Sequence, residues 1–596
     1  MSKLIETIKK ILMLFNKKEK RKLTMLFLMI VIAALFETLG IGMIVPLVGI
    51  VTNPNLIQEQ AILFSIYKLF NFQSTTTFIV FLVVFLLIIF ILKNIYLLIF
   101  NYVQNRIILN QQVKLSRNLF NEYLTKPYTF HLQRNTADLQ RNINEEVPKV
   151  FQGIIMSTFH LITELLVITC ILVLLLITSP IATIASSILL VGSVLLFLKF
   201  FREKISHLGN EQQKVSGLMI KWINQGLGAS KEVKVSGKER FFINSFTNQS
   251  QIKANNSLYM KMLDQVPRYF IETLLVSVVL TTMVIIIFQG NNTTNLVSTM
   301  ALFAMAAFRL MPSFNRVVAM ISSIRYSKPA LNVIYEDLLM NKDNLSNFDS
   351  INDMDSVVLN NGHRTFRDSI KLNNVSFRYP NEKNYSINDV SLTIPIGQSI
   401  AFIGESGAGK TTIVDIILGL LRPDKGDILI DDKKLNSQIS IWQKKIGYIP
   451  QTIFLSDDTI SANVAFGVEK KQIDEKAVWR ALEQAQLKEY VESLPDQLET
   501  IIGERGVRLS GGQRQRIGIA RALYHNPEIL FMDEATSALD NETEKGIMTA
   551  IDSLKGEKTL IIIAHRLSTI QNCDIVFKIN KGKLVAIDKK IERSIV

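Results

Sequence analysis

Cysteine is nearly absent: of 596 residues only Cys170, inside an apolar run, and Cys573, in the polar half, are cysteines. Two isolated thiols cannot build a disulfide framework or a metal cluster, a usage that fits a reducing compartment or indifference to redox. A cleavable leader is not what the first apolar run suggests. The first apolar run, Leu23–Val51, is too long for the core of a signal peptide and lacks an A-x-A site, so it reads as a retained span. Basic residues are scarce in alternate loops: residues 52–77 carry one, Lys68, and 290–295 none, whereas 1–22 carry eight, 101–152 seven and 199–265 eleven. That asymmetry puts both termini in the cytoplasm and the first, third and fifth connections outside. It also argues against a nucleic-acid partner, because the formal charge of +14 flanks apolar spans instead of lining one groove.

What is present is an apolar part joined to a polar one. Hydrophobic residues make up 48% and the mean hydropathy is +0.25, yet 20% of residues are charged. Residues 1–22 alternate apolar positions with lysines, as an amphipathic helix at a membrane surface would. After Leu23–Val51, further runs long enough to span a bilayer are Phe78–Phe100, Gly153–Thr178, Pro180–Phe201, Val266–Gln289 and Leu296–Ile321, with a tight turn at Ser179 and Pro180. The domains expected are 1–22 (amphipathic entry), 23–325 (six spans), 326–370 (helical extension and polar linker) and 371–596 (soluble α/β).

Spans two to five are expected to continue as helices beyond the membrane. Two cytoplasmic stretches, Lys126–Asn135 and Gly226–Gly237, read as solvated loops or as docking segments. In the outer loop, Asn55–Phe72 has helical apolar spacing and reads as a packed cap or a lipid-facing helix. Glu37, Glu164, Glu272 and Arg309 lie well within the spans, and Lys93 and Arg268 nearer their cytoplasmic ends. Such residues face a cavity or a partner, given a cost of roughly 2.5–3.5 kcal/mol at the bilayer centre. Lys93 and Arg268 can snorkel, and Arg268 can also pair with Glu272 one turn on.

In the polar half, Gly404–Thr411 reads GESGAGKT and fits G-x-x-x-x-G-K-[ST] between a short buried strand and a helix. Its backbone N–H groups would converge on phosphates, Lys410 would reach the terminal ones and Thr411 would ligate Mg2+. Tyr379 ends a strand where a ring can stack on adenine, and Gln451 ends IGYIPQ with an amide for magnesium and the attacking water. LSGGQ, Leu509–Gln513, is a second phosphate-seeking helix start, and one domain cannot easily aim both starts at one phosphate. In ILFMDE, Asp533 suits magnesium and Glu534 the hydrolytic water; SALD, ending at Asp540, follows. His565 ends another buried strand.

These motifs, in this order, resemble the nucleotide-binding domain of ABC transporters, and six spans followed by the ATPase resemble the exporter branch, as does GERG at Gly503–Gly506. The resemblance implies a polytopic all-α membrane domain fused to an α/β P-loop ATPase, two ATP molecules sandwiched in a homodimer (or a heterodimer), and Mg2+ as cofactor. ATP would be held by Tyr379, Gly404, Glu405, Ser406, Gly407, Ala408, Gly409, Lys410, Thr411 and Thr412 of one subunit and Ser510, Gly511, Gly512, Gln513 and Asp540 of the other. Thr411, Gln451 and Asp533 would hold the metal; Glu534 would be the general base, with His565, Gln451 and Lys410 assisting. The two cytoplasmic stretches would be coupling helices.

FETLGIGMIVP (Phe36–Pro46), VPRY (Val266–Tyr269) and FRLMPSFNR (Phe308–Arg316) are similar to the PglK-type flippases of lipid-linked oligosaccharides. That likeness implies an integral protein of a bacterial inner or plasma membrane, moving a polyprenyl-diphosphate-linked oligosaccharide to the outer leaflet. Lys93, Arg268 and Arg309 would receive the diphosphate, Lys93 standing where that family has Arg. The outer-loop helix would engage the polyprenyl tail. The alternatives are a multidrug or general lipid exporter, or a peptide exporter, the last without the expected protease domain.

Overall fold

The computed structural model describes residues 9–11, 13, 15–42, 50, 61–70, 72, 74–178, 180–288, 293–340, 366–533, 541–564 and 570–589. The chain divides into two units, Met1–Lys126 with Arg134–Ser346, and Pro127–Gln133 with Asn347–Val596.

The described part of the first unit is helical, and every apolar run coincides with a helix over its described residues, apart from the break at Phe201. In chain order the helices are α1 (Lys17–Gly42), α2 (Ala61–Leu69), α3 (Thr75–Thr125), α4 (Tyr128–Gln133, in the second unit), α5 (Thr136–Arg141), α6 (Ser157–Thr178) and α7 (Pro180–Phe200). They continue with α8 (Arg202–Gly228), α9 (Ser230–Ser236), α10 (Glu239–Phe288) and α11 (Thr293–Tyr335). The 51 residues of α3 span about 76 Å at an α-helical rise, far more than the roughly 30 Å of a bilayer core. Half of α3 therefore projects beyond its apolar run.

The expected helical continuation holds for α3 and for α10, which begins at Glu239, but is modified at two places. Two π-helical segments, Asn142–Glu146 and Lys149–Met156, precede α6. The fourth span stops at Phe200, and α8 starts anew at Arg202, where the apolar run gives way to Arg-Glu-Lys. The second π segment and α11 approach closely at Gly153: a Cβ there would lie 2.0 Å from Ser327 Oγ. Ser323 Oγ donates to the Gly153 carbonyl at 3.2 Å, so small residues and hydroxyls hold this contact. At the N-terminal end of α3, α2 and the start of α3 share an aromatic cluster in which Tyr67, Phe72 and Phe78 surround one another at centroid distances of 5.2–6.0 Å. Residues 55–60 of the expected outer helix lie outside the described residues, while Ala61–Leu69 forms as a helix.

The second unit has two sheets. Strands β1 (Ser369–Phe377), β2 (Ile387–Pro395), β4 (Lys425–Ile430) and β5 (Lys433–Lys434) form an antiparallel sheet in the order β2-β1-β4-β5. The larger sheet runs β10-β9-β3-β8-β7-β6, where β3 is Ser399–Ile403, β6 Ile446–Ile449, β7 Ile529–Asp533, β8 Thr559–Ile563, β9 Ile575–Asn580 and β10 Lys583–Lys589. All but β10 are parallel, and their near-continuous apolar sequences follow from burial on both faces. Alternate residues feed two cores: Ala401, Leu530, Met532 and Leu560 on one side, Ile400, Phe402, Phe531 and Ile561 on the other. Strand β1 begins at Ser369, two residues before the expected start of this domain.

Candidate functional site

Register aligns the ends of β3, β6, β7 and β8 along one sheet edge. Phe402 of β3 and Asp533 of β7 both pair with Ile563 of β8, and Ile449 of β6 pairs with Met532. In a parallel sheet these are the carboxyl ends, where ligands bind in open α/β folds. The Gly-rich loop leaves β3 one residue past this level, Gln451 lies two residues past Ile449, and Ala564, just before His565, donates its N–H to the Phe402 carbonyl at 3.1 Å.

The loop is shaped by backbone that side chains would obstruct. A Cβ on Gly404, whose φ is 150°, would lie 2.2 Å from the Ile579 carbonyl oxygen. Gly409, at φ 104°, then turns the chain into α12 (Lys410–Ile417). Lys410 is buried, and its ammonium donates to the carbonyls of Gly404 at 2.9 Å and Glu405 at 3.0 Å, which fixes it across the loop. A cavity of about 590 Å³ opens beside the loop, with Tyr379, Ser406, Gly407, Lys410, Thr411 and Thr412 in its lining. That volume falls within the usual range for a small-molecule site. Tyr379 shares a hydrogen bond of 3.1 Å with the Thr412 hydroxyl and packs edge-on against Phe377, so its ring is fixed at the cavity wall. Burial pushes its hydroxyl above the ordinary tyrosine value.

Asp533 is buried at the end of β7. Asp415, on α12, faces the same region: burial first, and then the charge of Asp533, push its carboxyl up to about 6. Tyr448 on β6 is raised by burial and by both carboxylates. Asp415 was not singled out from sequence; a lone acid in an otherwise apolar helical stretch, Ile413–Ile417, is the signal that could have found it.

The signature stretch folds as a capped helix start. Ser510 caps α13 (Gly511–Leu523): Gln513 N–H donates to Ser510 Oγ at 3.2 Å, and Ser510 N–H donates to Gln513 Oε1 at 2.8 Å. A Cβ at exposed Gly511 would meet nothing within 4 Å, so this N-terminus is open to an approaching group. Ser510–Gln513 are not among the residues lining the cavity at the Gly-rich loop. Glu534, Asp540 and His565 lie outside the described residues.

In the membrane unit, Lys93 is half-buried with its ammonium 4.9 Å from the Phe90 ring. Arg268 and Glu272 are both exposed, and among the described residues no ion pair joins them. The side chains of Glu37 and Arg309 lie outside the described residues. Glu164 does have a partner, Arg316 of α11, at 2.5 Å from Nε and 3.2 Å from Nη2. Sequence reading marked Glu164 and missed Arg316, which stands five residues before the end of its apolar run.

Comparison with known proteins agrees on both halves. Residues 39–311 match the ABC transporter transmembrane region and 387–537 match ABC transporter. The ATP-dependent lipid A-core flippase of Cupriavidus metallidurans is 31% identical over 479 residues, covering 79% of this chain and 78% of that protein. The protein of the same name from Bordetella avium is 43% identical over 229 residues, 38% of this chain and 39% of that one. A solved bacterial Atm1-family ABC exporter with ATP bound superimposes with a TM-score of 0.75, covering 97% of this chain and 96% of that chain at 21% identity, which shows a shared fold.

Proposed function

Since this chain belongs to the ABC transporters, as an exporter half-transporter whose ATPase domain couples ATP hydrolysis to transport, we propose that it flips an anionic amphipathic lipid from the cytoplasmic to the outer leaflet. The preferred cargo is a polyprenyl-diphosphate-linked oligosaccharide. The observation carrying the lipid reading is the match to lipid A-core flippases over 79% of the chain, a length that must include much of the membrane unit. Basic residues within the long helices, Lys93 on α3, Arg268 on α10 and Arg309 on α11, favour an anionic headgroup. The names of the relatives favour a second reading, a lipid A-type cargo, which shares the phosphate chemistry.

The working unit is a homodimer in which the Gly-rich loop of one subunit and Ser510–Gln513 of the other enclose each ATP. The separation of the signature from the cavity lining supports this composite site. Lys410 and the loop N–H groups orient the phosphates, Tyr379 stacks on the base, Glu534 accepts the proton of the attacking water and His565 steadies the γ-phosphate. The oxygen and amide donors Thr411, Asp533 and Gln451 suit a hard cation and would hold Mg2+, which neutralises phosphate charge when bound. Coupling runs through the two cytoplasmic segments. In support, α4 belongs to the ATPase unit, where Tyr128 lies within electrostatic reach of Tyr379 and Tyr448.

Reconstituting the protein in proteoliposomes with either cargo tests the reading. ATP-dependent translocation of the polyprenyl-diphosphate glycan, lost in Arg309→Gln, is the expected result; translocation of lipid A alone, or normal flipping by Arg309→Gln, contradicts it.

A further inference from the structure

Glu164 and Arg316 meet within the membrane unit, on α6 and α11, through two N–O contacts that leave Arg316 Nη1 uncommitted to the carboxylate. Their surroundings are apolar: Val167 and Ile168 follow Glu164 on α6, and Phe314, Val317 and Val318 flank Arg316 on α11, all in one core cluster. The two side chains are not equally enclosed. Glu164 keeps 11% of its side-chain surface, whereas Arg316 keeps 42%.

A guanidinium half open to hydrocarbon would be costly, so its open face belongs to a polar path or to an anion. Mutual neutralisation alone does not require the two partners to differ in exposure. Here the carboxylate is shielded and the cation presented. A planar guanidinium already oriented by one carboxylate offers its remaining N–H groups to a second oxyanion with little loss of rotamer freedom. His160 lies one helical turn before Glu164 on the same face of α6, near enough to feel both charges of the pair.

We infer that Arg316 is an anion site for the phosphate of the transported lipid, and that Glu164 is its built-in competitor, holding the guanidinium at rest and displacing the headgroup at release. This rests on the anionic-lipid reading above and adds residues to it. An arginine unopposed in a low-dielectric site would retain a dianion and slow each cycle; an internal carboxylate trades affinity for turnover.

The test uses the full-length protein in phosphatidylcholine nanodiscs containing graded undecaprenyl diphosphate or, in parallel, uncharged undecaprenol, with lipid-stimulated ATP hydrolysis as the readout. Glu164→Gln is expected to lower the half-saturating mole fraction of the diphosphate about fivefold or more and to lower maximal turnover; Arg316→Gln is expected to raise that fraction about tenfold. The double variant E164Q/R316Q, which leaves no unpaired charge, should behave as Arg316→Gln, and no variant should shift the response to undecaprenol. An unchanged or raised half-saturation in Glu164→Gln, or equal shifts for both lipids, overturns the inference while leaving the anionic cargo intact. If the wild type answers lipid A and not the diphosphate, the polyprenyl reading fails, and the same Glu164 comparison on lipid A decides the inference. Stimulation by the neutral alcohol alone overturns both.

Discussion

Tyr123 donates its hydroxyl to Asp337 Oδ2 at 2.6 Å, joining α3 to the π-helical turn that follows α11, across 214 residues of sequence. Asn142 completes a triangle, donating to both the Tyr123 oxygen at 3.0 Å and Asp337 at 3.1 Å, and Arg134 lies 3.6 Å from the same carboxylate. Burial and the neighbouring carboxylate push the Tyr123 hydroxyl far above its ordinary range, so it stays a donor throughout the physiological range. The buried triangle ties the C-terminal end of α3 and the turn after α11 to the segment between them. Tyr123→Phe removes one hydrogen bond without opening a cavity and is expected to destabilise the membrane unit by about 1 kcal/mol, seen as a lowered apparent Tm in detergent. Asp337→Ala, which strands Tyr123 and Asn142 in a buried site, should lower it further.

Glu145 provides a pH test outside the spans. Burial alone would raise its carboxyl, but the Ser216 hydrogen bond and the charges of Lys253 and Lys149 outweigh burial and hold it below the ordinary carboxylate value. A depressed acid contributes stability that is present above its unfolded value and is lost as pH falls through the folded one. The apparent Tm of the wild type should therefore fall faster than that of Glu145→Gln from about pH 5 downward. At pH 7 the variant should be less stable by about 0.5 kcal/mol, a small figure because the pair is partly open to solvent.

The two nucleotide-site substitutions separate binding from chemistry. Lys410→Ala removes a buried ammonium aimed across the loop and should weaken ATP binding on the order of a hundredfold in a fluorescent-nucleotide titration. Glu534→Gln should retain ATP binding and nearly abolish steady-state hydrolysis; undiminished turnover would refute its role as base.

Tyr379 distinguishes stacking from hydrogen bonding. Tyr379→Phe loses the Thr412 contact but keeps the ring, so KM for ATP should stay within about twofold, whereas Tyr379→Ala should raise it about tenfold. Equal effects in steady-state kinetics would mean that the hydroxyl carries the contribution.

Motifs built from neighbouring residues were legible without the fold. GESGAGKT requires its turn because glycine tolerates the positive φ of Gly409, and LSGGQ closes its own capping box within four residues. Hydrophobic runs of twenty or more residues likewise announce helices, since every backbone polar group in a bilayer must be satisfied within its own segment. The break at Phe201 and the π segments before α6 were not legible, because they lie where apolar runs meet polar sequence and periodicity loses its contrast.

Local structure was thus determined by the sequence itself: the Gly-rich turn, the signature cap and the long apolar helices. Pairings between distant residues were decided only by tertiary structure. Glu164 and Arg316 are 152 positions apart, and nothing in either helix names the other; packing of α6 on α11 does. Asp415 reads as a stray acid until parallel strand order sets Asp533 beside its helix. The reason is physical. Backbone conformation depends on a few neighbouring residues, whereas the partner of a charge depends on which surfaces the whole chain brings together.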